Sequence, residues 1–359
     1  MGAPSLRSME TRALSSVFTT TVATTMESSI EVHTSEACFE DPRWRELLAG
    51  DVDRHVFAMP EWNRVWWEEF GGGKELFVLT LEGEDGPLAI VPLYRKIEDG
   101  RRVLRFVGGI DLTDYLGPIC ATQDRARVAD QLVSWLSQTD VEWDEFDAHN
   151  MPVPFGFAEF LVERVDSAGL AFTLEQEETS AVLLLPDEWE AYLRGLDSKD
   201  RHELRRKRRR IEREHPDAAV RTATEDTLDQ DLKMFVEMHR GAEGHKGHFM
   251  KPEIATFFDR VARAFAPLGW LRIHLLEIGE RPVASAFSFE LDGAFYLYNS
   301  AYEPDVARLS PGLVLVSGLV EDCVERGLKR FDFLRGPERY KYQLGAQAVP
   351  LNHVRVLSG

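Results

Sequence analysis

The chain has 359 residues, 44% of them hydrophobic, and a formal net charge of -19 at pH 7. That length predicts two domains with packed cores, and the negative charge makes nucleic acid an unexpected partner. Cys38, Cys120 and Cys323 lie far apart with no CxxC pair, which predicts reduced thiols in a cytoplasmic protein and excludes a zinc ribbon. No apolar run reaches the ~20 residues of a bilayer span, so no transmembrane segment is expected.

Residues 1–25 are rich in Ser, Thr and Ala and lack the compact apolar stretch of a secretory signal. They read as a disordered extension, with Met26 a candidate natural start, because patterned sequence begins at 30–33. Residues 59–70 predict a helix: Pro60 suits the first turn, and Trp62, Trp66, Trp67 and Phe70 recur at helical spacing. Strands are expected over 76–81, 88–94 and 103–107, then a helix over 126–136. The same order returns. Pro252 opens a helix carrying Phe257 and Phe258, and strands follow over 271–278, 282–291 and 294–301. Leu81-Glu82, a turn, and Pro87-Leu88-Ala89 match Leu276-Glu277, a turn, and Pro282-Val283-Ala284. This repetition predicts an internal duplication of one α/β unit. A helix over 312–326, a strand over 330–334, a short helix over 338–344 and a strand over 351–357 complete an α+β arrangement.

Three segments carry chemistry. Arg308-Leu309-Ser310-Pro311-Gly312 opens a helix, with Ser310 placed to cap it and Gly312 leaving room beside the first free N–H groups. Such a terminus attracts anions, although an ordinary capped helix would look the same. In Phe331-Asp332-Phe333-Leu334-Arg335-Gly336, Asp332 interrupts an aromatic strand, and Tyr340 and Lys341 follow in a helix. A tyrosine can protonate a thiolate leaving group, and a carboxylate or lysine can move an acceptor's proton; packing residues and an ion pair would also account for the pattern. Between Lys199 and Arg213 lie nine Lys or Arg residues, on a helix expected over 198–214. They fit an anionic partner or a solvated face. His245 and His248 are three apart without a carboxylate or cysteine at metal-site spacing, so no metal is expected. His239 is a candidate base on the preceding helix.

Together these motifs resemble the double-domain GNAT-like acyltransferases of the CelD/BcsL type, associated with cellulose and exopolysaccharide biosynthesis and related in fold to the FemABX peptidyltransferases. The resemblance covers roughly residues 50–350. It rests on Met59-Pro60-Glu61-Trp62 through Trp66-Trp67, Val91-Pro92-Leu93, Asp114-Tyr115, Ser198-Lys199, Ser310-Pro311-Gly312 and Asp332-Phe333-Leu334-Arg335-Gly336 with Tyr340-Lys341. It implies two GNAT-like domains, 26–178 and 179–359, each a mixed, mostly antiparallel sheet flanked by helices. It implies acyl-CoA as donor, acetyl-CoA first. The pantetheine would run beside the strand at Asn299, Ser300 and Ala301, and the pyrophosphate would meet Arg308, Ser310, Pro311, Gly312 and Leu313. Of the glycine-rich GNAT signature, Gln/Arg-x-x-Gly-x-Gly/Ala, only Arg308 and Gly312 are present.

Three functions follow from these readings. The first is acyl transfer to an amine or hydroxyl of a small molecule or saccharide. Tyr340 would be the general acid, Asp332 and Lys341 further catalytic groups, and Asp114, Tyr115, His239 and Arg335 acceptor contacts. The second is FemABX-like transfer from aminoacyl-tRNA, with the basic helix on RNA. The third is a non-catalytic binding module on a GNAT scaffold.

Overall fold

A computed structural model of the chain describes residues 29–84, 86–241 and 249–359. The expected extension over 1–25 and the pair His245 and His248 lie outside the described residues. Among the described residues no helix is long and apolar enough to cross a membrane.

The N-terminal half opens with β1 (Ile30–His33), α1 (Arg43–Ala49) and α2 (Pro60–Phe70). An antiparallel meander follows: β2 (Glu75–Gly83), β3 (Gly86–Glu98) and β4 (Arg101–Phe106). The short β5 (Ile119–Cys120) then leads through α3 (Arg125–Gln138) to β6 (Glu145–Pro152), which runs parallel to β4. Next come α4 (Phe157–Ser167) and β7 (Ala171–Leu184).

The C-terminal half repeats this plan. After α5 (Trp189–Gly195), α6 (Ser198–Glu214), β8 (Ala219–Thr222), α7 (Leu228–Arg240) and α8 (Pro252–Phe265) comes a second meander, β9 (Leu271–Ile278), β10 (Arg281–Leu291) and β11 (Ala294–Tyr302). Then α9 (Pro311–Glu325) crosses to β12 (Arg330–Arg335), parallel to β11. A one-turn helix, α10 (Arg339–Gln343), and the last strand, β13 (Gln347–Leu357), end the chain.

The duplication extends to the register. Glu82 faces Pro87 and Leu81 faces Ala89, which leaves Leu88 bulged; Glu277 faces Pro282 and Leu276 faces Ala284, which leaves Val283 bulged. One turn chemistry has produced the same bulged hairpin twice. The first helices of the two units pack together as well. Trp62 of α2 is fully buried, 5.3 Å from the Phe257 ring of α8 and 5.2 Å from Tyr298 of β11.

Among the described residues the two sheets fuse into one of 13 strands, twelve of them in the order β1-β2-β3-β4-β6-β13-β7-β12-β11-β10-β9-β8, with β5 paired to β3 off this path. The halves exchange their last strands. β13 lies between β6 and β7, and β7 reaches β12. The boundary expected at 178/179 falls inside β7.

In each half the parallel pair parts early. β4 and β6 are paired only at Val103–Glu145 and Leu104–Phe146, and β11 and β12 only from Ala294–Arg330 to Tyr296–Asp332. Beyond those points the strands diverge and leave backbone edges without a strand partner.

Candidate active site

A cleft opens where β11 and β12 part. Leu297, Tyr298, Asn299 and Ser300 line it from β11, and Phe333, Arg335, Gly336, Glu338, Tyr340 and Lys341 from β12 and α10. Asp111 and Asp114 come from the N-terminal half, Glu178 from β7, and His239 and Phe249 from the region of α7. Seven of the expected site residues therefore meet in one cleft: Tyr340, Lys341, Asn299, Ser300, Asp114, His239 and Arg335.

Local irregularities shape both strands. On β11, Phe287 faces Asn299 while Ser288 faces Leu297, so Tyr298 is an extra residue. Its hydroxyl donates to the Leu112 carbonyl at 2.8 Å. On β12, Leu334 has φ +59° and the register against β7 shifts between Asp332 and Arg335. Asp332 sets this kink by accepting from the Leu334 N–H at 2.9 Å. Among the described residues, Leu334, Ser310 (φ +54°) and Asn150 (φ +55°) are three of five non-glycine residues with positive φ. Left-handed backbone costs about 1–2 kcal/mol per L-residue, and such strain gathers at functional sites.

Asp332 itself does not line the cleft. It is fully buried beneath it, accepts from the Tyr115 hydroxyl at 2.9 Å and pairs with Arg330 at 3.2 Å. Burial raises its pKa, against the opposing pull of Arg330, the Leu334 N–H and Tyr115. Tyr115 is likewise buried and lines a separate enclosed pocket with His55 and Arg125. Both residues are buried and neither is among the side chains that line the cleft.

Lys341 lines the cleft, but its ammonium is committed to structure. It donates to the carbonyls of Leu334, Arg335 and Gly336 and pairs with Glu338 at 3.0 Å. Arg335 reaches across the halves. Its Nε donates to Asp114 at 2.6 Å and its Nη1 to Asn150 at 3.1 Å. Asn150 in turn donates to the carbonyls of Ile110 and Thr113 at 3.0 and 2.8 Å. Neither Asn150 nor Glu178 was legible in the sequence, because both lie on strands with too few apolar residues to read as strands.

Tyr340 sits half-buried on α10, packed 6.3 Å from the Phe333 ring and hydrogen-bonded to Ser300. It thus spans the gap between β11 and β12. Burial, with Glu338 adding to it, raises the phenol above the ordinary tyrosine range, so it is protonated at neutral pH and can donate. His239 is buried on α7, 4.9 Å from the Phe235 ring.

The expected anion site lies at the next helix terminus. Pro311 takes the first helical position of α9, and the first intrahelical bond runs from Val314 N–H to the Ser310 carbonyl. Gly312 and Leu313 therefore keep N–H groups without a helical acceptor, and no acidic residue lies in the first turn. Ser310 occupies the N-cap position, but its left-handed backbone leaves the side chain without a capping bond. Arg308 pairs with Glu214 of α6 at 2.7 Å, so its charge is shared. Ala301 is buried on β11. The three cysteines do not compete as nucleophiles, since burial pushes each thiol up to about 12.

Residues 198–342 match a family model described as an acetyltransferase (GNAT) domain. No curated protein sequence matches the chain. Among solved structures, that of FemX covers 91% of this chain and 96% of its own, at TM-score 0.64 and 10% identity. A conserved protein of unknown function from Bacteroides thetaiotaomicron covers 91% and 100%, at TM-score 0.58 and 11% identity. The C-terminal domain of a putative lysylphosphatidylglycerol synthetase from Agrobacterium fabrum covers 90% and 93%, at TM-score 0.55 and 12% identity. At such identities the likeness is one of fold. Residues 198–342 thus match a GNAT acetyltransferase domain, set within an α+β fold whose two halves repeat one plan of mixed, largely antiparallel sheet flanked by helices.

Proposed function

We propose that the chain is an acyl-CoA-dependent acyltransferase whose donor lies in the opening between β11 and β12 and whose acceptor enters the cleft from the N-terminal half. The observation that carries this reading is the opening itself, with the protonated Tyr340 bridging it at Ser300. The free edge of β11 offers backbone N–H groups to the thioester carbonyl. The terminus of α9 at Gly312 and Leu313 faces the pyrophosphate. Acceptor nitrogen or oxygen attacks the carbonyl carbon, the C–S bond breaks, and Tyr340 gives its proton to the departing thiolate. His239 or Glu178 takes the acceptor's proton. Asp114 and Arg335 hold the acceptor through hydrogen bonds, while Asp332, Tyr115 and Lys341 keep the cleft's floor in shape.

The finer reading is acetyl-CoA as donor and a small molecule or saccharide as acceptor, in polysaccharide or cell-envelope biosynthesis inside the cytoplasm. Its support is the CelD/BcsL-type motif set. A thermal-shift titration with acetyl-CoA and longer acyl-CoAs tests the donor. Ligand at 100-fold its Kd should stabilise by about 2.7 kcal/mol, and Gly312→Glu should abolish the shift by placing a carboxylate at the anion site. No shift with any acyl-CoA would refute the donor assignment.

A second reading, transfer from aminoacyl-tRNA, is favoured by one observation. The basic helix α6 packs beside α9, where Arg208 pairs with Glu321 and Arg210 donates to the Arg308 carbonyl at 2.9 Å. Many of its cations are already paired, as Arg206 and Lys207 are with Glu203. RNA binding that falls steeply with salt would support this reading over the first.

A further inference from the structure

A polar cluster on the central sheet is left unused by acyl transfer. Asp147 and His149 project from β6 on the face opposite Phe146 and Ala148, which belong to the N-terminal core. His353 of β13 and Glu175 and Glu177 of β7 complete the group. Two bulges assemble it. His149 and Asn150 together oppose His353, and Glu177 is an extra residue between Glu178–Leu351 and Gln176–Asn352.

The donor atoms converge. His149 Nε2 and His353 Nε2 lie 3.0 and 2.6 Å from Asp147 Oδ1, and the two rings stack at 3.8 Å. Each outer nitrogen is held by a carboxylate, His149 Nδ1 by Glu177 at 2.6 Å and His353 Nδ1 by Glu175 at 3.2 Å. Arg105 Nε donates to the other oxygen of Asp147 at 2.6 Å, which leaves Oδ1 to the histidines. A metal-binding histidine has this arrangement, with one nitrogen on the ion and the other N–H on a carboxylate that fixes the ring. A tetrahedral ion with ~2.0–2.1 Å bonds spaces its donors by roughly 3.3 Å, so the spacings of 3.0 and 2.6 Å to Asp147 Oδ1 open by about 0.3 and 0.7 Å, and the stacked rings tilt apart, when an ion enters.

Charge points the same way. With neutral imidazoles, the carboxylates of Asp147, Glu175 and Glu177 face the guanidinium of Arg105, which is itself shared with Glu98 at 2.8 Å, so negative charge is in excess around the cluster. Among the described residues this is the one group of three or more such side chains with metal-ligand spacing.

We propose that Asp147, His149 and His353 bind one divalent transition-metal ion, Zn2+ by ligand type, which clamps β6 to β13 where the two halves exchange strands. Two imidazoles and a carboxylate suit Zn2+ better than Mg2+ or Ca2+, which take oxygen ligands. Glu177 and Glu175 orient the rings, and the fourth position falls to solvent.

The full-length protein, stripped with a chelator, is titrated with Co2+ and separately with Zn2+. The expected results are one equivalent of Co2+ with visible d–d absorption and a Zn2+-dependent rise in Tm. His149→Ala and His353→Ala should each abolish the absorption. Glu175→Gln and Glu177→Gln leave all three donors in place and should weaken Co2+ binding roughly 10- to 100-fold, a test that stands if the alanine variants do not fold. Absence of both absorption and Tm shift overturns the proposal and assigns the cluster to protonated histidines. Binding that is unchanged in all four variants overturns it as well, since the ion then sits elsewhere.

Discussion

At Tyr340, burial selects the protonation state that the chemistry needs. A phenol whose pKa is raised by burial stays protonated beyond the ordinary value of about 10. Tyr340→Phe should lower kcat about 100-fold with KM little changed, as measured by steady-state kinetics. Because an acid works below its pKa, the wild-type rate should show no Tyr340-dependent alkaline fall up to about pH 10. Asp332 shows the reverse use of burial. Asp332→Ala would strand the Tyr115 hydroxyl, the Leu334 N–H and Arg330, and should cost about 3–5 kcal/mol in urea unfolding. Its folded pKa lies above the unfolded one, so its protonation favours the fold. Relative to Asp332→Asn, the wild type should therefore lose Tm as pH rises from about 4 through the raised folded value.

Strand irregularities, at the scale of the element, decide where the cleft opens. Regular pairing of β11 with β12 would close it. The bulge at Tyr298, the left-handed Leu334 and the turn at Gly336 hold it apart. Gly336 has φ +117°, and a Cβ there would clash with the Glu338 carboxylate and approach Lys341 Nζ to 3.1 Å. Gly336→Ala should cost about 1–3 kcal/mol and loosen the end of β12, and denaturant unfolding together with acyl-CoA affinity would report it. Gly312 differs. Its Cβ would meet Tyr302 Cδ1 at 3.1 Å, but Tyr302 is 43% exposed and can swing away. Gly312→Ala should fold normally, so the glutamate variant reads out charge rather than misfolding.

For the whole molecule, strand exchange ties the halves together. β13 supplies a ladder to both β6 and β7, and Trp62 of one half sits among Phe257, Phe289 and Tyr298 of the other. Calorimetry should show one cooperative transition instead of two. A chain ending at residue 346 should not fold, because β6 and β7 would both lose a partner and expose unpaired edges.

The hairpins, the aromatic helix α2, the helix α9 and the repeated turn at Glu82 and Glu277 were all legible in the sequence. Each rests on local apolar spacing or turn chemistry, which a single segment carries by itself. Tyr340 and Arg335 could be singled out beside the aromatic strand that Asp332 interrupts, and Ser300 and Asp114 through the resemblance to GNAT-like acyltransferases. Their meeting in one cleft could not, nor could the burial of Asp332 or the commitment of Lys341 to carbonyls. The strands β6 and β7 were missed for a physical reason. Their residues, Glu-Phe-Asp-Ala-His-Asn and Thr-Leu-Glu-Gln-Glu-Glu, are mostly polar, with only Phe146 and Ala148 of these segments in the core, and they are ordered by ladder bonds and ion pairs to β13. Those partners lie far away in the chain, so only the tertiary structure decided that the two repeated units would share one sheet.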